Sequence, residues 1–287
     1  MKNENKDGMR RNEVTYINLD ELHDFKDHPF QVRDDEDMER LVESVEQQGV
    51  LDPIIVRGRA EGGFEIVSGH RRTHAASVAG LSEIPAIVRE IDDDEAVLAM
   101  VDANLHRETL LPSEKAFAYK MKRDALSRQG KRSDLTSNQV GWKLETASEI
   151  GAEAGDSGSQ VRRYIRLTEL IPELLIMVDD NAIKFNAGVE LSFLSKEEQR
   201  AVLSIIDDHG LYPSLNQAKV IRQLSSEGEF SRAKVFRMLS LSSMKERKIT
   251  LTEDRLMQYF HSGMTDDEMK EVIYGLLDEW SRKGRLS

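Results

Sequence analysis

The apolar pattern of the chain changes character after Val88, and this change constrains the fold more than any other feature. Before that point short β-branched runs separated by turn residues alternate with stretches of helical spacing. From Asp92 onward they recur almost only at helical spacing. Strands and helices present their apolar side chains at different periods. A chain patterned this way is α+β in its first part and all-α afterwards.

Asp34 to Gln48 reads as an amphipathic helix, with Met38, Leu41, Val42 and Val45 on one face and Gly49 as its stop. Pro53 to Arg57, Phe64 to Val67 and Ile84 to Val88 read as strands, and Glu61-Gly62-Gly63 as a turn between the first two. A helix is expected from Gly69 to Gly80, packed through Ala75, Ala76 and Ala79. Asp92-Asp93-Asp94-Glu95 places acid at a helix start, where the backbone dipole favours it. That helix runs towards Arg107. Pro112-Ser113-Glu114 opens the next, with proline in its first turn, and it ends near Gly130.

Lys131 to Lys143 is polar and reads as a linker or surface loop. Thr146 to Leu167 has the rhythm of helix, turn, helix. Further helices are expected at 171–180, 187–194, 197–207 and 215–225, with a break at Ser226 to Glu229. The last stretch ends in an amphipathic helix carrying Met269, Val272, Ile273, Leu276, Leu277 and Trp280. The expected division is a disordered tail at 1–14, an α+β domain at 15–110, a helical domain at 111–210 and a C-terminal helical region at 211–287.

The 287 residues include no cysteine, which excludes disulfides, zinc–thiolate sites and thiol catalysis and fits an intracellular setting. Met1 to Arg11 has no apolar core of a secretory signal, and no apolar run approaches the length of a membrane span. The net charge of −12 argues against non-specific nucleic-acid binding by the chain as a whole. The distribution is uneven, however: His106 to Ser133 holds eight Lys/Arg against three acids. His74, His106, His209 and His261 lack metal-ligand spacing and read as ordinary side chains. Trp142 and Trp280 read as core or interface anchors.

Two segments carry chemistry. Phe64 to Arg72 puts Ser68, Gly69, His70, Arg71 and Arg72 where a strand hands over to a helix. Orphan N–H groups and the dipole at a helix start attract anions, glycine admits close backbone approach, and arginine adds bidentate donors. Paired arginines at a helix start are also common on solvated surfaces. Asn104 to Glu114 adds an amide, a further guanidinium and carboxylates between two helices. In the other segment, Thr146 to Leu167, Ile150 and Ala154 pack a first helix, Gly155 makes a turn, and Val161, Ile165 and Tyr164 pack a second helix. Ser157, Ser159, Gln160, Arg162, Arg163 and Arg166 are left near or on its open face, with no acid among them. Glutamine can read adenine and arginine guanine, and basic residues meet phosphate. Two packed helices with a solvated face would give the same pattern.

Together these segments resemble the ParB partition family. Gly49-Val50-Leu51-Asp52-Pro53-Ile54-Ile55-Val56-Arg57, Gly69-His70-Arg71-Arg72 and Asn104-Leu105-His106-Arg107 through Leu111-Pro112-Ser113-Glu114-Lys115-Ala116 follow its motifs in order and spacing, within a resemblance over residues 15–205. The resemblance implies a ParB/sulfiredoxin-like α+β N-terminal domain, an all-α helix-turn-helix domain and a small, mostly helical C-terminal unit. It implies CTP with Mg2+ in a site of Pro53, Ile54, Ser68, Gly69, His70, Arg71, Arg72, Asn104, Arg107 and Glu108. There Gly69, Arg71 and Arg72 would meet the triphosphate, and Asn104 would help hold the metal.

It also implies that CTP closes a dimeric clamp on DNA. Ser157, Ser159, Gln160, Arg162, Arg163, Arg166 and Lys184 would contact a palindromic, centromere-like site. Further implications are a homodimer, a ParA-type ATPase partner reached through the N-terminal tail, and a cytoplasmic location on nucleoid or plasmid. The sequence departs from the family at two places: His70 and Ala103 stand where the family has glutamate. Alanine cannot ligate magnesium, so CTP hydrolysis is expected to be weak unless Asp102 or Glu108 substitutes. The related sulfiredoxin chemistry needs a cysteine that the chain lacks. A transcriptional regulator with a degenerate pocket is the alternative reading. A nuclease ranks below both, since no carboxylate cluster has the spacing for it.

Overall fold

The structure is a computed structural model that describes residues 13–107, 109–133, 147–152, 154–243, 258–260 and 263–284. These residues fall into two compact units divided between Ser240 and Leu241. The first unit opens with a five-stranded mixed sheet in the order β1-β5-β3-β4-β2. Its strands are β1 (Val14–Asn18), β2 (Leu22–His23), β3 (Ile54–Gly58), β4 (Phe64–Ser68) and β5 (Glu83–Val88). β3 lies at the centre, parallel to β5 and antiparallel to β4.

The faces of the sheet follow from the two-residue alternation of a strand. Ile54 and Val56 of β3 join Ile17, Ile84 and Ala86 in a core closed by α1 (Glu36–Gln48) and α2 (His70–Val78), which contribute Met38, Val45, Ala75 and Ala76. Ile55 and Val67 belong to a second cluster, with Ala96, Val97, Met100 and Val101 of α3 (Asp93–Leu105). α1 starts at Asp35, whose side chain accepts the Met38 N–H at 2.9 Å. α3 starts on a reciprocal capping box between Asp92 and Glu95, so the acidic run does act as a helix start.

Strands β1 and β2 are additions to the elements expected from sequence, and β1 begins inside the segment expected to be a disordered tail. Residues 1–12 of that tail lie outside the described residues. α4 (Pro112–Ser133) runs beyond the expected stop at Gly130, and the remainder of the expected linker, with Trp142, lies outside the described residues.

α4 is the longest described helix of this unit and belongs to both halves of it. Ala118, Tyr119 and Ala125 pack with α3, Phe25, Phe30, Ile150 and Val161, whereas Ala116 enters the helical core. That core is built by α5 (Gly158–Leu167), α6 (Pro172–Asp179), α7 (Phe185–Leu191), α8 (Lys196–His209), α9 (Leu215–Ser226) and α10 (Arg232–Ser243). Its buried side chains include Leu167, Leu174, Ile183, Leu191, Ile205 and Ile221. Gln199 is buried there with both ends used, accepting from Ile171 N–H and donating to the carbonyls of Glu169 and Leu194. In the second unit α11 (Asp266–Gly284) leaves Leu276, Leu277 and Trp280 exposed.

The connection into α5 is tight. Residues 147–152 are helical, and the Gly151 carbonyl then accepts from Ala154 N–H at 3.1 Å and Asp156 N–H at 2.8 Å. A Cβ on Gly151 would stand 2.1 Å from the Asp156 carbonyl oxygen. Asp156 in turn accepts from Lys115 Nζ at 2.8 Å and Tyr119 Oη at 2.5 Å, which ties the turn to α4. Gly151→Ala is therefore expected to destabilise the chain by about 1–3 kcal/mol, the usual cost of forcing atoms into packed space. Urea unfolding would measure it, and an unchanged midpoint would show that the turn does not make this close approach.

Candidate functional site

The strand-to-helix junction after β4 is shaped by Gly69. Its φ is +110°, and a Cβ there would lie 2.5 Å from Cγ2 of Ile54, which is fully buried on β3. Only glycine combines that backbone with that proximity. No side chain caps α2, so the N-terminal amides of the helix have no side-chain acceptor. Ser68 ends β4 half-buried beside them. The expected grouping of Pro53, Ile54, Ser68, Gly69 and the start of α2 is present.

The arginines divide their work. Arg72 Nη1 donates to the carbonyls of Asp52 at 2.6 Å and Pro53 at 2.9 Å, so this side chain braces the loop before β3. Burial holds its pKa below the ordinary arginine value. Arg71 reaches Asp35 Oδ1 only at 3.7 Å. Arg107, from the connection between α3 and α4, sits with its guanidinium 5.8 Å from the centre of the Phe30 ring. Its pKa is lowered by burial first and then by repulsion from Arg71, with Glu114 opposing. Residues far apart in sequence thus bring two guanidinium groups close enough to repel. Such a pair favours an anion between them.

His70, the first residue of α2, is buried at 7% exposure and stacks on His28 with 3.8 Å between ring centres. His28 Nδ1 lies 2.8 Å from the Phe30 carbonyl oxygen. The Nε2 atoms of both rings are buried without a hydrogen-bond partner. Burial first, then His28 and Arg107, push the His70 pKa down to about 3. Burial also lowers that of His28, helped by Arg107 and opposed by the Phe30 carbonyl, Asp24 and Glu114.

The segment carrying His28 and Phe30 is pinned by Glu114. One carboxylate oxygen accepts from Gln31 N–H and the other from Leu111 N–H, both at 2.9 Å. Sequence reasoning missed His28 and Phe30. Neither stands in a spaced motif, and the ring contact joins parts of the chain that only the fold brings together.

Asn104 is buried on α3, and its Nδ2 donates to the Met100 carbonyl of its own helix at 2.8 Å. Glu108 lies outside the described residues. Among the described residues no three or more His, Asp or Glu side chains are grouped to hold a metal. Magnesium takes hard oxygen ligands, commonly one or two carboxylates beside phosphate oxygens. Ala103 supplies no side-chain ligand atom, Asp102 is held by Lys122 Nζ at 2.5 Å, and both oxygens of Glu114 already accept backbone N–H groups. The described donor set does not fit a protein-held magnesium ion.

The second group stands on α5. Ser157 caps this helix by accepting the Gln160 N–H at 3.1 Å. Val161 and Leu167 are buried, and Tyr164 and Ile165 are half-buried against the cores. Ser159, Arg162 and Arg163 are exposed and Gln160 is half-exposed, so the outer edge is polar and free of acid. Arg166 does not share that edge. Its Nε donates to Ser192 Oγ at 3.2 Å and its Nη2 to the Ser192 carbonyl at 2.6 Å. Its guanidinium lies 4.1 Å from the centre of the Phe193 ring, which also carries Arg222 at 3.6 Å. Helical periodicity alone places Arg166 with its neighbours; the Ser192 carbonyl draws it away. Lys184 is exposed just before α7 and donates to Asn181 Oδ1 at 3.0 Å.

Residues 3–105 match the family model of the ParB N-terminal domain. The chromosome-partitioning protein Spo0J of Thermus thermophilus is 34% identical over 190 residues, covering 66% of this chain and 62% of that protein. The chromosome-partitioning protein ParB of Myxococcus xanthus is 33% identical over 208 residues, covering 69% and 64%. The chain thus spans less than two thirds of the length of these curated relatives. A crystal structure of the C-terminally truncated chromosome-partitioning protein ParB from Caulobacter crescentus, complexed to the centromeric parS site, matches at 25% identity with a TM-score of 0.42, covering 74% of this chain and 99% of that one. No described helix is long and apolar enough to cross a membrane. Residues 3–105 are a ParB N-terminal domain, and through that domain the chain belongs to the ParB family.

Proposed function

We propose that this chain is a sequence-specific DNA-binding partition protein of the ParB class that holds CTP in its N-terminal domain. The observation that carries the DNA reading is the outer edge of α5. A capped helix buries Val161 and Leu167 and turns Ser159, Gln160, Arg162 and Arg163 outward with no acid between them. The preceding helical segment, the turn closed on Gly151 and α5 form a helix-turn-helix whose second helix enters the major groove. Lys184, and Ser157 at the start of α5, extend the contact to phosphate.

The nucleotide reading rests on the uncapped start of α2 and on Arg71 and Arg107, whose mutual repulsion an entering phosphate would relieve. Arg72 acts one step back by holding the Asp52–Pro53 loop under the pocket. Magnesium, if it accompanies the nucleotide, is held through the phosphates. The chain binds CTP more readily than it hydrolyses it, because Ala103 offers no carboxylate. A dimer on a palindromic site follows from two-fold helix-turn-helix geometry, and the apolar residues exposed on α11 are suited to self-association. CTP closes the dimer as a clamp on DNA, and a ParA-type ATPase acts on the complex.

Calorimetry with CTP, ATP, GTP and UTP tests the pocket. CTP is expected to bind selectively. Arg71→Ala with Arg107→Ala should weaken it at least about tenfold, as the removal of charge-assisted hydrogen bonds worth about 1.5–3 kcal/mol requires. Undiminished CTP binding by that double variant would remove both arginines from the site. Absence of CTP binding in the parent would favour an operator-binding regulator. For α5, Arg162→Ala with Arg163→Ala should abolish preference for the palindromic site in fluorescence anisotropy. The slope of log affinity against log salt should fall by about 0.9 for each phosphate that the variant no longer neutralises. Retained preference with an unchanged slope would exclude α5 as the reading helix.

A further inference from the structure

Buried polar atoms in folded proteins almost always have hydrogen-bond partners, so two orphaned imidazole nitrogens in one stacked pair call for an explanation. The Phe30 carbonyl can only accept, so the His28 Nδ1 facing it carries the hydrogen. In the neutral ring His28 Nε2 is then a bare acceptor, buried and unused. His70 Nε2 is likewise buried and unused. The groups around the pair are unevenly charged. Arg107 acts on both rings and is itself repelled by Arg71. Asp24 and Glu114 act on His28 alone, and Glu114 already serves two backbone N–H groups. Around α2, Asp35 lies 3.7 Å from Arg71, Asp34 lies 2.8 Å from His74 Nε2, and the Asp52 charge acts on Arg72.

Resting on the nucleotide reading above, we propose that the His28–His70 pair is a proton-coupled part of the pocket: it is neutral when the pocket is empty and takes up a proton from solvent as a phosphate group enters, donating from Nε2 to the anion. In the empty pocket two rings 3.8 Å apart beside Arg107 resist a positive charge, and burial adds to this. An anion between Arg71 and Arg107 reverses the local field. It also gives a protonated Nε2 the acceptor it lacks. The histidine at position 70 thereby supplies positive charge on demand in a pocket whose described residues do not hold a metal ion.

The full chain would be titrated by calorimetry with CTP and, separately, with inorganic tripolyphosphate, near neutral pH in two buffers of different ionisation enthalpy. Uptake of about one proton is expected for each anion, with affinity rising up to about tenfold per pH unit as pH falls below neutral. In His70→Gln, and independently in His28→Asn, the uptake should disappear. The anion's own titration is common to parent and variants, so the difference isolates the pair. Binding without proton uptake in the parent, or equal uptake in both variants, overturns this inference and leaves the nucleotide reading standing. Binding of neither anion overturns both.

Thermal unfolding gives a second readout. The His70 pKa in the fold is about 3, against 6.5 for the free side chain, so the unfolded chain takes the proton first. Stability is therefore full above about pH 6.5 and is lost as pH falls below it. The unfolding temperature of the parent should drop more than that of His70→Gln between about pH 7.5 and pH 5.5. Saturating tripolyphosphate should shrink that difference. An equal drop in parent and variant, with or without tripolyphosphate, counts against the pair as a buried proton acceptor.

Discussion

The beginning of α4 is the constraint on which the rest of the first unit depends. Within a few residues, Ser113 N–H donates to Asp179 of α6, Glu114 accepts from the segment carrying His28 and Phe30, and Lys115 holds Asp156 in the turn before α5. Tyr119, fully buried one turn further on, donates to the same carboxylate, and its hydroxyl pKa is raised by burial and by Asp156. The network is largely withdrawn from water. The Lys115 and Asp156 side chains are only 20% and 18% exposed, so removing Asp156 would leave both Lys115 and Tyr119 without their shared acceptor in a largely desolvated place. The pocket wall and the mount of α5 thus share one rigid element. A displacement of the 28–33 segment would load the same helix that fixes the turn before α5.

That arrangement gives physical content to communication between the proposed anion site and the helix proposed to read DNA. The cluster from Val67 through Met100 and Tyr119 to Ile150 and Val161 is continuous and packed. Packed interiors transmit strain instead of absorbing it. On the side of the proposed anion site stand the charges of Arg71 and Arg107. On the α5 side the fixed point is Asp156. Glu114 accepts from Gln31 with one oxygen and from Leu111, just before its own helix, with the other, and so ties the 28–33 segment to the start of α4.

Much of the fold was legible because it depends on local signals. The alternation of β3, the apolar face of α1, Pro112 at the start of α4 and the acidic cap of α3 all act through neighbours in sequence. β1 was not legible, although Val14-Thr15-Tyr16-Ile17 has strand composition. It buries only Ile17, and its register is set by pairing with Ile84 to Ile87 of β5. The grouping of Gly69 with the arginines at the start of α2 could be found from their motif; their division into a brace, Arg72, and a repelling pair, Arg71 and Arg107, could not. It depends on backbone carbonyls at Asp52 and Pro53 that no pattern exposes. His28 belongs to the same class, a residue brought to the pocket by tertiary structure alone.

Arg166 joins this question of legibility to that of recognition. Three arginines stand on α5, and spacing treats them alike. The fold gives Arg162 and Arg163 to solvent and uses Arg166 as a rivet between α5 and the end of α7. There the guanidinium groups of Arg166 and Arg222 both pack over the Phe193 ring, and Arg222 is held by Glu190 at 2.9 Å. Guanidinium groups on an aromatic face keep their donors free in the ring plane while their flat surfaces pack. The stack therefore fixes the rotation of α5 about its own axis. In the reading proposed for α5, a helix tied down in this way presents the same two arginines at the same angle on every encounter, which is the condition for distinguishing one base sequence from another.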